Sequence, residues 1–95
     1  MAQNTNIDVP KATWTMLTDS NVSSVTFQNV NAYHGILIKG TNGTTAPTTE
    51  VGAIKYRPSE GERNVLLADL FPGVSGVNRL WAYSADGAQV MVSHA

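Results

Sequence analysis

The sequence predicts a small all-β protein, an antiparallel β-sandwich or β-barrel. Three observations carry that prediction. Serine, threonine and asparagine supply 25 of the 95 residues and valine ten, a mixture that favours strands joined by turns. Charged residues are only 14% of the chain, too few for long solvated helices, while 42% hydrophobic residues are enough for one globular core. Short apolar runs recur between turn signals, at residues 14–17, 22–30, 33–39, 51–56 and 63–67, which is the spacing of a sandwich or barrel. A chain of this length forms one domain.

Taken in order, residues 1–13 are polar and small, with a lone Ile7, then Val9 and Pro10, and read as an extended N-terminal arm ahead of a single β domain over residues 14–95. Trp14 either begins the first strand or anchors the arm to another molecule. Residues 40–50 are almost wholly turn-forming and predict an exposed, mobile loop. Ser59 and Glu62 have capping-box spacing, and Leu66, Leu67, Leu70 and Phe71 fall on a helical stripe, but Gly61 and Asn64 oppose a long helix. The expectation is a strand through Val65 and Leu67, then at most one short helical turn over residues 68–71, stopped by Pro72 and Gly73.

Asp86-Gly87 lies between two alternating segments and predicts a two-residue hairpin, because both central positions of such a turn need positive φ. That register sets Tyr83 opposite Val90, Trp81 opposite Val92 and Arg79 opposite His94. Trp81, Tyr83, Val90 and Val92 then share one face, and Leu80, Ala82 and Met91 the other. Both faces are apolar, so the pair is expected to be covered on two sides, with Trp81 in the core.

Signals for chemistry are thin. His34 and His94 stand on separate expected strands with no acid at ligand spacing, and Glu60 and Glu62 flank a turn, so neither metal binding nor carboxylate catalysis is supported. No nucleophile elbow or phosphate-binding glycine loop occurs, and no enzyme or cofactor is expected. Six basic and seven acidic residues leave a charge of −1 with no basic run, which speaks against nucleic acid. With no cysteine there is neither a disulfide frame nor a thiolate metal site. The apolar runs are too short to cross a bilayer, and residues 1–6 are too polar for a signal sequence, so a soluble protein is expected.

One set of strings is distinctive: Leu67-Ala68-Asp69-Leu70-Phe71-Pro72-Gly73-Val74, Arg79-Leu80-Trp81-Ala82-Tyr83-Ser84 and Val90-Met91-Val92-Ser93-His94-Ala95. With Trp14-Thr15-Met16-Leu17, Val25-Thr26-Phe27-Gln28-Asn29 and Arg57-Pro58-Ser59-Glu60-Gly61-Glu62-Arg63, the chain resembles small virion proteins of tailed bacteriophages, and among them head-decoration or cement proteins. The resemblance spans about four-fifths of the chain. It implies a dimer or trimer on the outside of an expanded capsid, made in the host cytoplasm and bound to the major capsid protein. The arm is short and no immunoglobulin-type pattern is present, which departs from some decoration proteins. Ile7, Val9, Pro10, Trp14, Leu80 and Met91 are the candidate capsid or subunit contacts. The alternatives are a tail- or fibre-associated module, and a carbohydrate-binding domain using the loop at residues 40–50.

Overall fold

The computed structural model describes residues 2–95. Eight strands form in chain order: β1 (Gln3–Val9), β2 (Thr15–Met16), β3 (Ser24–Asn29), β4 (Ile36–Thr41), β5 (Ile54–Tyr56), β6 (Gly61–Leu66), β7 (Arg79–Tyr83) and β8 (Ala88–His94). A single four-residue helical turn, α1 (Leu67–Leu70), follows β6. The expected apolar runs coincide with β2 to β6, and the helical turn starts one residue earlier than expected, with Phe71 N donating to Leu67 O.

The strands make two antiparallel four-stranded sheets, sheet A in the order β1-β8-β3-β6 and sheet B in the order β2-β7-β4-β5. Strands pair as β1 with β8, β2 with β7, β3 with β6 and β4 with β5, so the chain is one long antiparallel ribbon folded over on itself. β8 also pairs with β3 and β7 with β4, which closes each sheet. This is the strand order of an eight-stranded jelly roll, with successive strands crossing between sheets except at β4–β5.

Alternation along each strand fills the space between the sheets. Val25, Phe27, Val90 and Val92 of sheet A face Ile36, Ile38, Leu80 and Ala82 of sheet B, and each is 1% exposed or less. Phe27 meets Tyr56 edge-on across the core, ring centroids 5.0 Å apart. Leu17, Leu67 and Phe71 close the open ends of the core. Burying a side chain of this size contributes roughly 1.5–3 kcal/mol, so this apolar layer is the main source of stability.

Two expectations are overturned. The first is the free arm: residues 3–9 are strand β1, in register with β8 from Gln3↔His94 to Val9↔Ala88. Met1 lies outside the described residues. Val9 is 2% exposed and Ile7 packs against the core. At the strand's start the inward Gln3 is held by polar contacts instead, its Oε1 lying 2.8 Å from His94 Nε2 and accepting from Asp19 N at 3.2 Å. A strand whose outward face is Asn4, Asn6 and Asp8 looks like an arm because its burial is one-sided.

The second is the Asp86-Gly87 hairpin. β7 and β8 belong to different sheets, so Trp81 pairs with Met16 and Lys39, while Val92 pairs with Thr5 and Phe27. Only Gly87 has positive φ, at 86°, whereas the predicted turn type needs it at Asp86 as well. The turn instead runs from Ser84 to Gly87, closed by Gly87 N donating to Ser84 O at 3.4 Å and Ser84 Oγ to Gly87 O at 3.3 Å. It carries the chain from sheet B to sheet A. Both strands are apolar on their inner faces because each covers the other sheet; Trp81 is buried as expected, but on the outer face of sheet B and not in the inter-sheet core.

Candidate functional site

The outer faces of the two sheets differ in chemistry. Sheet A presents Asn4, Asn6, Asp8, Gln28, Gln89 and Ser93, polar side chains that water solvates well, with Met91 half-buried among them and Leu66 exposed on β6. Sheet B presents Met16 from β2, Arg79, Trp81 and Tyr83 from β7, and Leu37, Lys39 and Thr41 from β4. Trp14, just before β2, stacks on Tyr83 with ring centroids 5.2 Å apart and an interplanar angle of 38°. Lys39 Nζ stands 5.8 Å from the Trp14 ring centroid, a cation–π arrangement. Trp81 is 6% exposed and its indole Nε1 donates to Thr41 Oγ1 at 2.8 Å. An aromatic cluster is thus built from three rungs of one strand pair, Leu37↔Tyr83, Lys39↔Trp81 and Thr41↔Arg79.

The cations on this face are held by neutral acceptors. Lys39 Nζ donates to Thr49 O at 3.1 Å. Arg79 Nε donates to Asn21 Oδ1 at 2.9 Å, and its Nη1 to Thr18 O at 3.4 Å and Met16 Sδ at 3.5 Å. Among the described residues no lysine or arginine lies within 4.0 Å of a carboxylate oxygen. The side chains are therefore positioned while their charge stays unneutralised, which is the state an acidic partner surface would meet.

At one end of this face a groove of about 460 Å³ runs between residues 33–37, Glu50, Lys55 and residues 83–86. The loop at residues 30–35 that forms one wall is tied down by Asn29, which is 0% exposed. Asn29 Nδ2 donates to His34 O at 2.9 Å and to Tyr56 O at 3.3 Å, while its Oδ1 accepts from Asn31 N at 3.0 Å and Asn31 Nδ2 at 2.9 Å. Tyr33, at the tip of that loop, is 88% exposed.

The six predicted contact residues do not converge. Val9 and Leu80 are core residues and cannot meet a partner in the folded chain. Ile7 points inward at the edge of sheet A, Pro10 is exposed in the link between β1 and β2, and Met91 lies on the outer face of sheet A. Trp14 alone of the six is on the aromatic face. Met16, Lys39, Arg79 and Tyr83, which share that face, are not among the six, although alternation within each strand separates them from the core residues between them.

The remaining polar groups have structural tasks. Glu60 Oε1 accepts from Arg57 N at 2.7 Å in the turn before β6. Tyr56 OH donates to Glu62 Oε2 at 3.1 Å, and burial, then the neighbouring carboxylate of Glu62, push its phenol well above the ordinary tyrosine range. His94, its side chain fully buried, lies 3.3 Å from Asp19 Oδ1 and joins the end of β8 to the segment after β2. The loop at residues 40–50, expected to be untethered, is pinned by Gly43 N donating to Asn78 Oδ1 at 2.9 Å and Asn42 Nδ2 to Ser75 O at 3.2 Å. Among the described residues no three His, Asp or Glu side chains stand together as a metal site. Comparison with protein-family models, curated proteins and solved structures finds no match to this chain.

Proposed function

We propose that this chain is a non-enzymatic structural protein of a tailed-phage virion, a head-decoration protein that binds the major capsid protein on the outer surface of the head through the outer face of sheet B. The observation that carries the reading is the asymmetry between the two sheets. One outer face is mainly polar, Asp8 included; the other carries Trp14, Tyr83, Met16 and Arg79, residue types enriched at protein interfaces, around the buried Trp81. The molecule measures 32 × 27 × 19 Å, so one broad face matches one partner's share of a standard interface, about 800 Å². The resemblance in sequence supports the virion assignment, and the eight-stranded jelly roll is a fold-level analogy in its favour, since viral capsid domains use it.

In this reading the partner is protein rather than nucleic acid. The Trp14 and Tyr83 rings are stacked on each other, Lys39 lies over Trp14 and Trp81 is buried, so the face offers no row of open rings for bases. A dimer or trimer would let several modest contacts act together across capsid joints. Co-sedimentation with expanded heads that lack this protein tests the proposal. Wild type should saturate the heads, and Trp14→Ala and a Lys39→Glu, Arg79→Glu double variant should bind at least about tenfold more weakly while keeping wild-type circular dichroism. Failure of the wild-type chain to bind, or saturation by the double variant at the same concentration, would refute it.

A further inference from the structure

We propose that the groove beside Tyr33 is a glycan-binding site that takes a neutral pyranose ring. A tyrosine ring that is 88% exposed is unremarkable on a floppy loop, but this loop is held from below by a wholly buried asparagine. Besides the four Asn29 hydrogen bonds, Gln89 N donates to Asn31 Oδ1 at 3.0 Å and Val30 N to Gln89 O at 3.3 Å. The backbone that carries Tyr33 is thereby held at the groove mouth before any ligand arrives, which lowers the ordering cost of binding.

The floor of the groove is the Leu37↔Tyr83 rung, with Lys55 paired to Leu37 on the other side. Glu50 and Asp86 stand on its walls with His34, whose Nδ1 lies 3.4 Å from Asp86 Oδ2. This is a shallow, polar site with one free aromatic face. A pyranose ring matches it from both sides: its axial C–H face stacks on a tyrosine ring, and vicinal hydroxyls donate to carboxylate oxygens and accept from an ammonium. Two carboxylates against one lysine disfavour phosphates and uronic acids, which selects neutral sugars. Tyr33, His34 and Asp86 lie on end loops outside the strands of the attachment face, so the site can be altered without touching Trp14, Lys39 or Arg79.

Backbone amide NMR of the full chain, titrated with glucose, galactose, mannose and N-acetylglucosamine to about 50 mM, tests the assignment, because a single-ring site is expected to bind in the millimolar range. Saturable shifts at Gly35, Leu37, Tyr83 and Asp86 should appear with at least one of these sugars. Tyr33→Ala and Asp86→Asn should weaken that binding at least about tenfold, Tyr33→Phe should keep it within about twofold, and glucuronate should produce no saturable shift. Absence of saturable shifts with all four sugars overturns the proposal, as does wild-type affinity in Tyr33→Ala or glucuronate binding as tight as that of the neutral sugars.

Discussion

Replacing Asn29 by alanine tests the buried hub that shapes the groove. The amide makes four hydrogen bonds between 2.9 and 3.3 Å, to His34 O, Tyr56 O, Asn31 N and Asn31 Nδ2. A net contribution near 1 kcal/mol for each gives about 4 kcal/mol. His34 and Asn31 lie toward the surface, where water can replace part of what is lost, so about 3 kcal/mol is the better expectation. That is roughly 30–60% of a stability on the order of 5–10 kcal/mol, and it corresponds to a fall in Tm of roughly 12–24 °C. Asn29→Asp should cost more than Asn29→Ala, since it sets a buried carboxylate against the His34 and Tyr56 carbonyls in place of an N–H donor. Urea unfolding gives the free energies, and hydrogen exchange should show the Asn31 amide, which donates to Asn29 Oδ1, losing protection first. A loss below about 1 kcal/mol, or an aspartate variant more stable than the alanine one, would refute the assignment of these bonds.

A chain starting at Ala12 lacks β1, and with it the buried Val9 and the cover over Val90 and Val92; it should show no cooperative thermal transition by circular dichroism, and a wild-type Tm would restore the arm. Gly61→Ala builds a Cβ into Phe27 O and within 2.7 Å of Gln28 Cα, backbone against backbone, and should cost about 2 kcal/mol or more, whereas Gly73→Ala meets nothing within 4 Å and should be nearly neutral in the same urea titration. Because folding raises the Tyr56 pKa, its contribution to stability is fully present below the unfolded value near 10 and is lost progressively as pH rises above it; the urea midpoint should fall from about pH 10 upward, less steeply in Tyr56→Phe.

What the sequence reveals and conceals follows from what periodicity measures. Alternation identifies strands and their faces, so β2 to β6, the helical turn at Leu67–Leu70 and the core role of Val90 and Val92 are legible. Alternation does not say which sheet a strand joins. The run from Arg79 to His94 reads equally as one hairpin or as two strands facing each other across a core, and the deciding feature is Asp86, which keeps negative φ. β1 is concealed because an edge strand needs only a few apolar residues, and Ile7 and Val9 suffice once Gln3 is held by His94 and Asp19. The groove is concealed for a different reason: Tyr33, Lys55 and Asp86 are distant in sequence, and the residue that fixes their geometry is an asparagine in a chain with eight of them.

The outer face of sheet B and the core are set by the same register. Along β4, Leu37 and Lys39 point outward while Ile36, Ile38 and Gly40 point inward, and β7 sets Tyr83 and Trp81 against the first pair and Ala82 and Leu80 against Ile38 and Gly40. A slip of one residue would exchange the two sets, exposing the isoleucines and burying a lysine. The slip is also opposed at Gly40, where any side chain would meet Phe71 Cδ2 and Val77 Cγ2 at 2.7 Å, so the position opposite Leu80 accepts glycine and not the lysine or threonine that a strand shifted by one residue would place there. The order of aromatic and cationic groups on the outside is therefore fixed by packing on the inside. A rigid sheet of this kind can hold Trp14, Tyr83 and Lys39 in place without a partner present, and so spends little ordering energy when one arrives.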